Sequence, residues 1–180
     1  KATLQLSSLC GPMSYNMSFS VAKCFKLLAQ GADVNAYGLE RIPVFSRLCA
    51  RLCEDRPKKN QDAHVSFDLI EAFIALGADV KSAEKGSRCK ATPLHWATLA
   101  NSQRLIKLLL SNGANPNAVD HCRRTALHWS ADPPRDALLD LLNTTLGDSS
   151  SLGHVVHELV MGGANINARD LRGHRPLFVC

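Results

Sequence analysis

An all-α solenoid of stacked helical repeats is the fold class this sequence predicts, and three observations carry the prediction. A six-residue phrase recurs four times, as GADVNA at 31–36, GADVKS at 77–82, GANPNA at 113–118 and GANINA at 163–168. A second phrase recurs beside it, TPLHWA at 92–97 and TALHWS at 125–130, and the step from Thr92 to Thr125 is 33 residues. Self-similarity at such a period marks a chain built from repeated units that each leave a face for the next to cover. The third observation is that Leu105, Ile106, Leu108 and Leu109 fall on one face at helical spacing. Composition agrees: 46% hydrophobic and 21% charged residues over 180, with a mean hydropathy of -0.07, describe a globular chain, not a disordered or collagen-like one. The apolar runs are only a few residues long, so no membrane-spanning helix is predicted.

With these motifs the chain resembles the ankyrin-repeat family. The unit of that family is a TPLH turn into a first helix, a tight turn, a second helix ending in LLL-x-x-GA, and a hairpin finger. Residues 92–124 carry each part in Thr92-Pro93-Leu94-His95, Leu105-Ile106, Leu108-Leu109-Leu110 and Gly113-Ala114. Weaker copies of the turn are ATLQLSS at 2–8, IPVF at 42–45 and RPLF at 175–178. The resemblance implies one domain over 1–180, an all-α stack of helix-turn-helix pairs with hairpin fingers. Its repeats are expected at about 2–41, 42–91, 92–124 and 125–174, with a partial one at 175–180.

Each element can then be placed by counting. In the 92–124 unit the turn into the second helix begins at Asn101, twelve residues before Gly113. Twelve residues before the other glycines stand Phe19, Val65 and Ser151. Measured from Ala2, Ile42 and Thr125, the first, second and fourth repeats therefore carry about 8, 14 and 17 extra residues between their paired helices. The insertions are expected on the edge away from the fingers. The finger at 81–91 is expected to be three residues longer than its neighbours, and the first finger one shorter.

Residue types fit these places. Thr92 and Thr125 are N-cap residues, and Pro93 stands at the first helical position, where its missing N–H costs nothing. Gly31, Gly77, Gly113 and Gly163 end second helices, where a left-handed residue is needed, and Asn101 holds a turn that asparagine tolerates. His95 and His128 repeat at the 33-residue period, so they are parts of the repeat; the resemblance implies hydrogen bonds within and between the TPLH turns. Trp96 and Trp129 are expected to pack between repeats.

Catalytic, cofactor-binding and metal-binding residues are not assigned. The seven cysteines include no CxxC pair and read as reduced, mostly buried thiols of an intracellular protein, cytoplasmic or nuclear. Cys49, Cys53 and His64 lack a fourth ligand, and HVVHE at 154–158 lacks the order of a zincin motif. No P-loop, GxSxG or glycine-rich dinucleotide turn occurs. The chain reads as no enzyme.

The surface signal is charge. The chain's net charge is +5, from 21 Lys+Arg against 16 Asp+Glu. The fingers at 37–41, 81–91, 119–124 and 169–175 hold ten of the basic residues against four acids, Glu40, Glu84, Asp120 and Asp170. Arg41, Lys85, Arg88, Lys90, Arg123, Arg124, Arg169, Arg172 and Arg175, with His121 and His174, are the candidate partner-binding residues. They predict a groove for an acidic protein segment. Nucleic acid is not expected, because the fingers lack interleaved aromatics. The insertion CEDRPKKNQDAH at 53–64 reads as an exposed loop, and ALLDLL at 137–142 as an extra helix packing Leu138 and Leu142 onto the stack. The chain begins KATLQLSSLC and ends RPLFVC within a repeat, so it is expected to be a section of a longer solenoid. The functional expectation is a monomeric, non-catalytic protein-binding module or scaffold. The alternative is a regulatory or substrate-targeting segment of a larger enzyme, ligase adaptor or channel.

Overall fold

The computed structural model describes residues 2–9, 20–38, 41–54, 67–85, 89–132 and 152–176. These residues form eight helices: α1 (Ala2–Leu9), α2 (Val21–Ala29), α3 (Val44–Glu54), α4 (Phe67–Ala75), α5 (Pro93–Leu99), α6 (Gln103–Ser111), α7 (Ala126–Ala131) and α8 (Leu152–Met161). They pair in order. The first helices pack in sequence, α3 on α5 and α5 on α7, and among the second helices α2 meets α4 and α6 meets α8. The chain is thus an all-α repeat solenoid; among the described residues no strand occurs, and Tyr37 and Pro43 form an isolated bridge.

The six-residue phrase is explained letter by letter. Its glycine takes φ of 77°, 86°, 84° and 90° at Gly31, Gly77, Gly113 and Gly163, the left-handed region that a side chain would strain. The N–H of each following alanine returns to the helix, to the carbonyls of Leu27, Phe73, Leu109 and Leu159. The glycine N–H bonds one residue further on, to Leu28, Ile74, Leu110 and Val160, which is a Schellman cap made four times. The alanine packs against the residue it bonds, and both are buried in all four copies. Next comes Asp33, Asp79, Asn115 or Asn165, whose Oδ1 accepts the N–H two residues on at 2.9 Å each time.

The asparagine that follows is a bridge between repeats. Asn35 donates from Nδ2 to the Gly77 carbonyl at 3.0 Å and accepts the Asp79 N–H at 2.7 Å. Asn117 does the same to Gly163 and Asn165, at 2.9 and 2.7 Å. Lys81 stands at this place in the second repeat, and its side chain lies along Gly113 instead.

The core is one continuous apolar cluster drawn from all four units, including Leu6, Phe45, Leu48, Phe73, Leu94, Leu105, Leu127 and Val155. Phe45 stacks on Phe73 at 6.3 Å between centroids, and Trp96 meets Trp129 edge-on at 5.7 Å and 85°. On the second-helix side, Arg104 bonds Glu71 at 3.2 Å and lies 4.3 Å from the Phe67 ring centroid. Glu158 accepts from Gln103 at 2.9 Å and faces Lys107 at 3.2 Å, tying α8 to α6.

The structure shifts two weak copies of the turn. In the second repeat Pro43, not Ile42, takes the place of Thr92, since α3 begins at Val44 as α5 begins at Pro93. Proline's fixed φ suits the position before a helix as well as the first position in it. Ser46 and Arg47 then stand where the third repeat has His95 and Trp96. With this register the first finger is not one residue short: its left-handed residue, Arg41, follows Gly31 at the same distance at which Arg123 follows Gly113 and Gly173 follows Gly163. In α1 it is Leu6 that is buried, while Leu4 is 75% exposed. The expected features at 55–66 and 133–151, with Leu138 and Leu142, lie outside the described residues, as do Glu40 and Arg88.

Candidate binding surface

The turns that aim the fingers are held by histidine. The Thr92 N–H donates to His95 Nδ1 at 3.1 Å, which leaves Nε2 as the donor to the Arg124 carbonyl, 3.1 Å away in the next finger. His128 repeats the pattern with Thr125, and its Nε2 reaches the His174 carbonyl at 3.2 Å. Each ring thus joins the helix start of its repeat to the finger that closes that repeat. Burial disfavours the charged His95 ring and lowers its pKa to about 4, although the bond to the Arg124 carbonyl acts the other way.

Buried acids brace the finger bases. Asp120 accepts the N–H groups of Cys122 and Arg124 through Oδ1, both at 2.8 Å. Its Oδ2 takes the Trp129 indole N–H at 2.9 Å and Arg124 Nε at 3.2 Å. In the longer finger Glu84 takes the same role, accepting Trp96 Nε1 at 2.8 Å. Two of the four finger acids are therefore turned inward, each accepting from the tryptophan of the repeat that follows. Asp170 accepts the N–H groups of Arg172 and His174 at 2.8 Å. Partial burial opposes its charge, but those two N–H groups and the nearby His174 ring prevail and hold its pKa below the ordinary value.

What remains outside is basic. Arg41, Lys81, Lys85, Lys90, Arg123, Arg169, Arg172 and Arg175 are exposed, with His121 and His174 among them. Arg124 does not belong to this set: only 14% of its side chain is exposed, and it is bound to Asp120 and to the Asp132 carbonyl. Backbone bonds join successive fingers, from His121 N–H to Cys89 and from Leu171 N–H to Cys122. The tips are therefore in register. The left-handed residue of the four tips is Arg41, Lys90, Arg123 and Gly173, at φ of 54°, 51°, 59° and 80°. Three of the four strained tips thus carry a long cation.

Sequence reasoning misses the inward turn of Glu84 and Asp120. The available signal is a tryptophan in the first helix that follows each of these acid-bearing fingers, since a buried indole N–H needs an acceptor. It also passes over Tyr37, which faces the longer finger. Cys24 and Cys49 are buried and Cys89 and Cys122 half-buried, all as reduced thiols. Burial pushes the Cys49 thiol up, away from the thiolate that metal binding requires. Among the described residues no group of three metal-ligating side chains occurs, and no helix is long and apolar enough to cross a membrane.

Helix pairs stacked in chain order, with hairpin fingers in register, define a solenoid of the kind that presents a preformed surface to other macromolecules. Residues 62–147 match the family model of ankyrin repeats (3 copies), so this part of the chain is made of ankyrin repeats. That fold is a protein-interaction fold. The chain is also similar to the "Putative E3 ubiquitin-protein ligase XBAT35" of Arabidopsis thaliana, 44% identical over 50 residues. The likeness covers 28% of this chain and 11% of that relative.

Proposed function

We propose that this chain is a non-catalytic interaction module, or scaffold, that binds an acidic segment of a partner protein along its finger and first-helix face. The observation that supports it is the row of left-handed basic tips. A non-glycine residue in that conformation costs about 1 kcal/mol, and Gly173 occupies the equivalent place in the fourth finger. Strain kept for an exposed charge points to a use outside the fold. Neighbouring repeats stack about 10 Å apart, and an extended chain advances about 3.3 Å per residue. The best match is a partner with an acid at every third residue.

On this reading the repeats run at about 2–41, 42–91, 92–124, 125–174 and 175–180, and the module is a monomer working in the cytoplasm or nucleus. Nucleic acid is the poorer fit, since a single aromatic, Tyr37, stands among the basic finger residues. A second reading rests on the ligase-named relative: the array is the substrate-targeting or regulatory part of a larger enzyme, and still binds rather than reacts.

The test is fluorescence anisotropy of a labelled peptide with glutamate at every third position, titrated with the chain at rising salt. Affinity is expected to fall at least tenfold between 0.05 and 0.3 M NaCl, and by about tenfold in Arg123→Glu combined with Arg172→Glu. Arg123→Gly is expected to weaken binding while stabilising the fold. An affinity indifferent to salt, or tighter binding to a single-stranded oligonucleotide of equal charge, sinks the proposal.

A further inference from the structure

The cleft between the first and second fingers differs from every other junction along the row. Its volume is about 490 Å3, and its lining includes Tyr37, Asp79, Ser82, Lys85 and Lys90. Two departures from the repeat create it. The left-handed residue of the second finger, Lys90, follows its glycine at a distance three residues greater than Arg41 follows Gly31 or Arg123 follows Gly113. The longer finger carries Lys85 to 5.3 Å from the Tyr37 ring centroid of the finger before it. The other departure is Tyr37 itself, because the residue at the same offset from the glycine is Val119 in the third finger and Arg169 in the fourth.

The groups converge on one point. The Ser82 hydroxyl and the Lys85 ammonium beside Tyr37 hold its pKa below the ordinary tyrosine value. The ring is 40% exposed, so the arrangement faces solvent and is not a buried strut. An ammonium, an aliphatic hydroxyl and a phenol on one rim form a donor set that suits a single anionic oxygen group. Asp79 lies in the same lining and raises the Tyr37 pKa by its charge, which limits the cleft to one such group.

We propose that this cleft is an anion subsite of the finger surface, seating one carboxylate or phosphate of the bound segment on Lys85, Ser82 and the Tyr37 hydroxyl. The proposal rests on the acidic-segment reading above and adds its anchoring point. On binding, the Tyr37 hydroxyl donates to the anion beside Ser82 and Lys85.

The chain contains two tyrosines, so 3-fluorotyrosine labelling gives two fluorine signals, assigned with Tyr37→Phe. The labelled chain is titrated with the glutamate peptide and with the same peptide carrying one phosphoserine. The Tyr37 signal should move and saturate at the concentration where anisotropy reports half-binding. Lys85→Gln should weaken binding by about 3- to 10-fold, and the charge-matched change Lys26→Gln on α2 should leave it unchanged. Tighter binding of the phosphoserine peptide with a larger Tyr37 shift makes phosphate the preferred group; equal binding makes a carboxylate sufficient. If the peptide binds, weakens on reversal of Arg123 and Arg172, yet neither moves the Tyr37 signal nor responds to Lys85→Gln, the subsite is overturned and the finger surface stands. If neither peptide binds at low salt, both fall.

Discussion

At the scale of single residues, Asp120 does most to hold a finger in place. Its carboxylate is 6% exposed and satisfies four donors, three of them in its own finger and one the Trp129 indole. Removing it would strand those donors, so Asp120→Ala is expected to destabilise the chain by roughly 3–5 kcal/mol in urea denaturation. Asp120→Asn, which can still accept at one oxygen, should lose less; an alanine variant within 1 kcal/mol of wild type would refute the brace. His95 gives the second residue-scale prediction, in pH. An unfolded histidine takes its proton near pH 6.5, whereas in the fold His95 does so near 4 because burial opposes the charge. Between these values the unfolded chain holds the extra proton, so stability is full above 6.5 and drains as pH falls toward 4, by about 3 kcal/mol in all. Asp170, with its lowered pKa, adds its own loss only further down, as pH falls below the ordinary carboxylate range. Urea midpoints measured from pH 7.5 to 4 should slope in the wild type and flatten in His95→Gln. Equal slopes would remove His95 as the cause.

At the scale of elements, the second repeat and its junction with the third omit the histidine bond and the pair of asparagine bonds that the third repeat and the next junction make. Ser46 stands in place of the histidine, and its Oγ lies 3.5 Å from the Ser82 carbonyl without reaching the following turn. Lys81 stands in place of the bridging asparagine. Lys81→Asn should therefore add the pair of bonds that Asn117 makes, raising stability by about 1 kcal/mol, read as a higher midpoint without change in urea slope. No gain would show that the backbones there sit at another distance. This junction also shows what sequence can and cannot supply. The ends of α2, α4, α6 and α8 follow from the glycine phrase, because a left-handed cap is a local demand that few residues meet. Starts of second helices follow by counting back from those glycines: α2, α4 and α6 each begin two residues after the turn so counted, and α8 one. The register of α3 does not follow, since proline is compatible with two adjacent positions and only packing against α5 separates them. Nor does the inward turn of Glu84, whose indole partner is twelve residues away, or the left-handed tips, where arginine and lysine give no local hint of their conformation.

At the scale of the whole molecule, a single apolar cluster runs through all four units, and α3 lies along α5 across the junction where Lys81 replaces the bridging asparagine. Neighbour-to-neighbour coupling of this kind makes a short repeat array unfold as one body. Far-ultraviolet circular dichroism and tryptophan fluorescence should give the same urea midpoint, and separate midpoints would show the stack dividing. The comparison is pointed because of where the two indoles sit. Trp96 and Trp129 are the chain's two tryptophans, they touch edge to face, and each N–H is held by a carboxylate. Emission therefore reports mainly the seam between the third and fourth units, with Trp96 also touching Glu84 of the second, and is silent about the first. A red shift without loss of ellipticity would mean that this seam has opened while the helices persist. The chain thus carries its own optical gauge of strain in the half of the stack nearest Arg123 and Arg172, readable while a partner binds.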